Sequence, residues 1–363
     1  MKKTALFDYH NEKSNNIISF SGFALPVFYN SILEEHKAVR ENAGVFDVSH
    51  MGQIIISGKS SEKFVQMITT NDVSKITFGQ AQYSAMCNDN GGIIDDIIVY
   101  KQRSNFMLVV NASDIDKKYN WLKSFQLEGV NIEDKSNDFS MIAIQGPMSR
   151  KVVQSIVNSD ISRLKYYNFI EHIDCLGQDI LLSRTGYTGE LGFEIYCKND
   201  SVKIIWDHIH KNFRKDGILP AGLGARDTLR LEMGYLLYGN DINIDINPIK
   251  AGLSWIVSLK KGDFIGKKEI ISKKNKDDYQ LVYFEMIEKS IPRPGFKILN
   301  GKDVVGIVTS GTISPSLNKG IGIAYIKNKY IKEGSYLSIR IRNKIKSAKI
   351  VKAPFYTLGT LNK

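Results

Sequence analysis

Two adjacent carboxylates inside an apolar run constrain this chain more than any other feature. The run GGIIDDIIVY, from Gly91 to Tyr100, has the length and the β-branched content of a buried strand. Side chains alternate along a strand, so Asp96 shares a face with Ile94, Ile98 and Tyr100, and Asp95 shares the other with Ile93, Ile97 and Val99. The pattern predicts a strand covered on both faces. A buried, unpaired carboxylate is costly, so each Asp must find a donor, shift its pKa or serve a site. A turn or an arginine satisfies one such residue easily. Two in succession are harder to explain as structure alone, and at least one is expected to be functional.

With 363 residues, 43% of them hydrophobic, the chain can bury cores for two or three domains. No apolar stretch approaches the roughly 20 residues of a membrane span, and MKKTALFDYH lacks the apolar centre of a secretory signal; a cytoplasmic address and no membrane contact are the expectation. Cys87, Cys175 and Cys197 are too scattered for a disulfide framework, and read as reduced packing residues. The net charge of +11 is unevenly spread: residues 241–363 hold 23 Lys and Arg against 10 Asp and Glu, the first 240 hold 26 against 28. A basic C-terminal third points to an anionic partner, whether nucleic acid, an acidic protein or a polycarboxylate small molecule, unless it reflects a Lys-rich composition.

The first two-thirds reads as α+β with several short sheets. Asn30 is placed to cap a helix through Glu34, Glu35 and Ala43 that stops at Gly44, and Ser113 to cap one carrying Tyr119, Trp121 and Leu122. A strand from Phe139 to Ile144 breaks at Gln145, Gly146 and Pro147 before a helix through Val152, Val153 and Ile156; further helices span Val202 to His210 and begin near Ala225. Evenly spaced βα units are lacking. After a charged linker, Lys273 to Asp278, the texture turns to short strands: Gln280 to Met286, Gly295 to Leu299, the hairpin signal Asn300-Gly301, Val304 to Val308 and Tyr336 to Ile341. A small antiparallel barrel or sandwich is expected there.

Several chemistries drop out. GDFIGKK, Gly262 to Lys268, is one residue short between its glycines for a phosphate loop and lacks a Ser or Thr after the lysine. The six histidines, at positions 10, 36, 50, 172, 208 and 210, form no HExxH, so no metal site is expected. Asp207, His208 and His210 point different ways around a helix. Without a GxSxG elbow or a nucleophilic cysteine motif, a covalent enzyme intermediate is disfavoured.

What remains is a series of polar and aromatic residues punctuating apolar or glycine-rich runs: DVSHMG at 47–52, QYSAMCNDNGGIIDD at 82–96, SRTGYTGELGFEIY at 183–196, GLGARDTLRLEMGY at 222–235 and KGDFIGKKE at 261–269. In order and spacing they resemble the glycine cleavage system T protein family, from about Leu6 to the segment Ala353 to Tyr356. The resemblance implies two intertwined α/β domains around a central folate channel and a C-terminal antiparallel β-barrel, a cloverleaf. Residues 1–50 with 138–245 would form one domain and 51–137 the second, with 246–272 connecting and 273–363 the barrel. It implies an aminomethyltransferase that takes the one-carbon unit from the S-aminomethyl-dihydrolipoyl arm of the H protein to tetrahydrofolate as co-substrate, releasing ammonia and forming 5,10-methylenetetrahydrofolate.

On this resemblance Asp96 lies near N10 of the folate, holding the amine and stabilising positive charge as ammonia leaves, by positioning and electrostatics; Asp95 is the structural member. Glu194, in the apolar strand LGFEIY, is the implied pterin anchor, since a carboxylate accepts paired hydrogen bonds from an amino-pyrimidinone edge. Arg226 matches the motif arginine on the pterin side. Tyr83 and Tyr187 supply aromatic walls, Met51 packs on the flat ring, Asn111 completes the polar lining, and Tyr356 is a further substrate contact. Singly, Tyr83, Tyr187 and Met51 would pass for core, and Arg226 and Arg230 could pair with Asp227 or Glu232. The basic third acquires partners in an acidic H protein and the polyglutamate tail of folate.

Phe23 stands where many relatives carry Trp or Tyr. Three other readings compete. A folate-dependent demethylase of a small methylated amine or sulfonium shares the scaffold but often alters the Asp96-type position. A folate-binding iron–sulfur assembly factor carries a cysteine after Lys-Gly, where this chain has Asp263. An RNA-binding module would need stacking motifs, and none is present, so no nucleic acid is expected.

Overall fold

Three sheets and one short hairpin take up the strand-forming segments in the computed structural model, which describes residues 1–274 and 278–361. The chain forms two compact units, one of Met1–Ser84, Asp96–Arg226 and Gly359–Lys363, the other of Ala85–Asp95 and Asp227–Leu358. No helix among the described residues is long and apolar enough to cross a membrane.

The first sheet has the order Gln80–Cys87, Ile93–Lys101, Asn105–Val110, Gly52–Ser57, Asn131–Asp134. The second runs Phe169–Cys175, Gln178–Ser183, Gly192–Lys198, Phe139–Gln145, Ala43–Asp47, Ile218–Pro220. Helices Ser149–Ile156 and Asn199–Phe213 cover one of its faces, with Val152, Val153, Val202, Ile205 and Trp206 buried against Ile142, Ile144, Phe193 and Ile195.

The C-terminal segment closes into a six-stranded barrel, Tyr279–Met286, Lys319–Lys327, Asp303–Ser314, Lys297–Asn300, Tyr336–Ile341 and Lys344–Val351. Neighbouring strands are antiparallel, and a barrel leaves no open edge. Phe284, Ile298, Ile326, Ile339 and Ile350 fill it. Gly322 pairs with Phe284, whose ring occupies the space that a Cβ there would need. Asn300 and Asp303 pair around the turn that Asn300-Gly301 predicts, with Gly301 at φ 61°.

Some local expectations are corrected. The cap of helix Ile32–Glu41 is Ser31, whose hydroxyl accepts from the Glu34 N–H, not Asn30. That helix ends before Ala43 and Gly44, which begin a buried strand. Helix Ile115–Ser124 follows Asp114 in a left-handed conformation with no side-chain cap, so Ser113 has no capping role. Lys273 closes a helix, Lys267–Lys273, and residues 275–277 of the expected linker lie outside the described residues. The strand Ile93–Lys101 is not sealed on both faces: Ile93, Asp95, Ile97 and Val99 are buried, whereas Ile94, Asp96 and Ile98 are only half-buried. Asp96 therefore keeps an accessible side and Asp95 does not.

Candidate active site

Asp96 is fixed from one neighbouring strand, Gln80–Cys87, and from the residue that follows the other, Asn105–Val110. Its Oδ2 accepts from the hydroxyl of Tyr83 at 2.9 Å, and its Oδ1 accepts from Asn111 Nδ2 at 2.8 Å. The same amide nitrogen donates to the Asp96 carbonyl at 3.0 Å, which locks Asn111 to this strand position. Lys118, only 2% exposed, donates from Nζ to the Asn111 carbonyl at 2.8 Å and supports the carboxylate from behind. Burial raises the Asp96 pKa above the ordinary value, and the bonds from Tyr83 and Asn111 and the Lys118 charge oppose that rise without cancelling it. Burial and the Asp96 charge together push the Tyr83 phenol well above its ordinary value, so it stays a donor.

A second carboxylate sits in the other sheet. Glu194 pairs with Ser183 across one neighbouring strand and Ala143 across the other, and is 8% exposed. Thr185 donates to its Oε2, whereas Oε1 accepts no hydrogen bond from the described residues. Thr185 also contacts Ser183 and the Tyr100 hydroxyl, and Tyr100 meets Tyr196 at 3.0 Å, so a chain of hydroxyls backs the carboxylate. Burial raises the Glu194 pKa, against the Thr185 bond and the charge of Arg226. Tyr100 lies on the Asp96 face of its strand, four residues on, about 13 Å at the usual strand rise. One strand thus carries Asp96 and contributes to the backing of Glu194.

The loop Arg184–Leu191 brings Tyr187 to Arg226, whose guanidinium lies 4.7 Å from the ring centroid. Gln145 fills this loop: its Nε2 donates to the Thr185 carbonyl at 3.1 Å and its Oε1 accepts from Thr188 at 3.0 Å. A Cβ at Gly186 or Gly192 would fall 2.0 Å or 2.3 Å from the Gln145 amide, which explains two of the three glycines of the TGYTGELG motif. Arg226 makes no ion pair among the described residues, and burial lowers its pKa. Arg230, one turn on, behaves as a structural residue: it pairs with Asp227 at 2.8 Å and Asp241 at 2.9 Å.

Two glycine motifs set these positions. Buried Glu35 accepts from the N–H groups of Tyr29, Asn30 and Gly222, fixing the entry to helix Leu223–Glu232, and a Cβ at Gly222 would lie 2.5 Å from the Val27 carbonyl oxygen. In DVSHMG, Asp47 accepts from Thr4 and Ser49 and pairs with His10 at 2.7 Å. His50 is 2% exposed, edge-on to Phe20 at 5.5 Å, with no partner for its Nδ1. Burial, then the Arg226 charge, lowers its pKa to about 3, so it is a neutral imidazole.

Of the residues expected from sequence, Asp96, Tyr83 and Asn111 are in direct contact, Tyr187 stacks on Arg226, and Glu194 and Arg226 interact electrostatically. Tyr83 and Tyr187 also influence each other electrostatically. Met51 is half-buried in the turn after Val48. Tyr356, in the other unit, is half-buried with its N–H on the Glu232 carbonyl. Lys118, Tyr100, Thr185 and His50 were not anticipated. Lys118 had a signal: with Ile115 and Leu122 it shares an apolar helix face, where a lysine needs a buried partner.

Residues 6–261 match the GCVT N-terminal domain and residues 280–357 the glycine cleavage T-protein C-terminal barrel domain. The chain belongs to the glycine cleavage T-protein family. It is 46% identical over 359 residues to an aminomethyltransferase of Chloroherpeton thalassium, covering 98% of this chain and 99% of that one. An aminomethyltransferase of Bacillus subtilis is 45% identical with the same coverage. The crystal structure of glycine cleavage system aminomethyltransferase T from Bartonella henselae superposes with a TM-score of 0.92 at 28% identity, over 99% of both chains.

Proposed function

We infer that this protein is a tetrahydrofolate-dependent aminomethyltransferase that moves the one-carbon unit of an S-aminomethyl-dihydrolipoyl H protein to tetrahydrofolate, with release of ammonia. The observation that carries this is the full-length match to aminomethyltransferases. The site chemistry agrees. Glu194 keeps an acceptor, Oε1, without a partner among the described residues, and Arg226 makes no ion pair among them. A pterin edge rich in N–H donors and a ring carbonyl would satisfy both.

Tetrahydrofolate, when bound, supplies the amine that takes up the one-carbon unit. Glu194 and Arg226 hold the pterin side, with Tyr187, Tyr83 and Met51 as walls. Asp96, with Asn111 beside it, orients an amine and places a negative charge where positive charge grows as the carbon–nitrogen bond to ammonia breaks. Two donors already hold the Asp96 carboxylate, so little reorganisation is left for the reaction. Tyr356 would be a further substrate contact. An acidic H protein would meet the basic C-terminal third, and the cytoplasm, where the three buried unpaired thiols stay reduced, is the proposed compartment.

The test is an assay of ammonia and methylenetetrahydrofolate with aminomethylated H protein, run beside sarcosine and sulfonium substrates. Turnover only with the H protein is expected. Turnover only with a small methylated amine would replace this function with the demethylase reading, which no feature of the site favours.

A further inference from the structure

The loop that carries Tyr187 is held from inside by Gln145 and from outside by a segment far along the chain. Glu190, 1% exposed, accepts from Arg40 Nη1 at 2.8 Å through Oε1, and from the Thr360 N–H at 2.8 Å and hydroxyl at 2.5 Å through Oε2. The Thr360 hydroxyl also accepts from the Leu191 N–H at 3.0 Å, so one oxygen serves as donor and acceptor on consecutive loop residues. The Leu361 N–H donates to the Gly189 carbonyl at 3.2 Å, and the Leu361 carbonyl accepts from Arg184 Nη2 at 3.0 Å. Gly359 lies flat on the loop: a Cβ there would fall 2.3 Å from the Gly189 carbonyl oxygen. Arg40 donates to the Thr188 carbonyl at 2.7 Å as well. From Arg184 to Leu191, the loop is bonded to this segment at both ends and in the middle.

We propose that Gly359–Leu361 is a clamp whose function is to set the position of Tyr187 for folate, with Thr360 as a positioning residue. The proposal rests on the reading of Tyr187 as a folate wall. The clamp touches no substrate; it acts by fixing a loop whose glycines would otherwise leave it several conformations. A buried carboxylate with three donors defines one arrangement, because losing a donor leaves a desolvated acceptor.

The experiment compares Thr360→Val, Thr360→Ser, Gly359→Ala and Tyr187→Ala in the full chain. It measures steady-state kinetics with aminomethylated H protein, and amide hydrogen exchange at residues 186–191, with barrel amides as the control for folding. Valine keeps the shape but loses both hydroxyl bonds, so KM for tetrahydrofolate is expected to rise roughly tenfold, with kcat at saturating folate within about twofold. Exchange at 186–191 should accelerate while the barrel does not change. Gly359→Ala should behave like valine, and serine, which retains both bonds, like the parent. If Tyr187→Ala raises KM and Thr360→Val does not, the clamp is overturned and the Tyr187 assignment stands. If Tyr187→Ala leaves KM unchanged, the Tyr187 assignment falls and the proposed function of the clamp falls with it, whatever the exchange shows.

Discussion

Replacing Tyr83 by Phe removes one hydroxyl and leaves the aromatic wall, which makes it a sharp probe of how Asp96 is held. The lost bond is 2.9 Å long and ends on a carboxylate. Hydrogen bonds to charged groups contribute about 1.5–3 kcal/mol, so kcat/KM should fall roughly 10- to 150-fold if the held carboxylate is what the reaction uses. The loss should depend on pH in one direction. Burial raises the Asp96 pKa and the Tyr83 bond lowers it; without that bond the carboxylate takes up its proton at still higher pH. The acid limb of kcat/KM should therefore move to higher pH in Tyr83→Phe, and part of the loss should be recovered by raising the pH. The assay is a pH profile of kcat/KM at limiting tetrahydrofolate. A uniform loss with an unmoved limb would show that the hydroxyl acts elsewhere, and an unchanged rate would remove Tyr83 from the support of Asp96.

Two further outcomes follow from the same geometry. Glu194→Ala should weaken tetrahydrofolate binding by calorimetry at least roughly tenfold, since a carboxylate hydrogen-bond pair is removed; unchanged affinity would contradict the anchor. Burial raises both Asp96 and Glu194, so the folded state binds more protons than the unfolded one between their ordinary values, about 3.9 and 4.3, and their elevated ones. Across that window the ligand-free protein should lose stability as pH rises, and the loss should level off above it. Asp96→Asn should then melt above the parent at alkaline pH and approach it in acid, the Tyr83 hydroxyl turning to accept from the new amide. Parallel melting curves at every pH would refute this.

Residues that solve a local problem were legible in the sequence. Asp96 and Glu194 stood out because a carboxylate in an apolar strand has no cheap explanation, and both proved partly or wholly buried and held by donors. The barrel strand Tyr336–Ile341 was readable because alternation decides which side chains face the interior. The strands before and after it in the chain, Lys319–Lys327 and Lys344–Val351, were not, since glycines such as Gly322 and exposed residues such as Ile345 interrupt the pattern. Gly322 makes sense only beside Phe284, a partner 38 positions away. The same limit hid the hydroxyls behind Glu194 and Thr360 on Glu190: each is a contact between segments, and spacing along one segment carries no trace of it. Capping residues were misplaced by one position, where Ser31 and Asp114 compete with equally plausible neighbours.

The most direct test of the account is turnover by Asp96→Asn with aminomethylated H protein, measured alongside its affinity for tetrahydrofolate. Retained folate affinity with turnover reduced by about two orders of magnitude or more is the predicted result. Turnover close to the parent's would contradict the role given to Asp96.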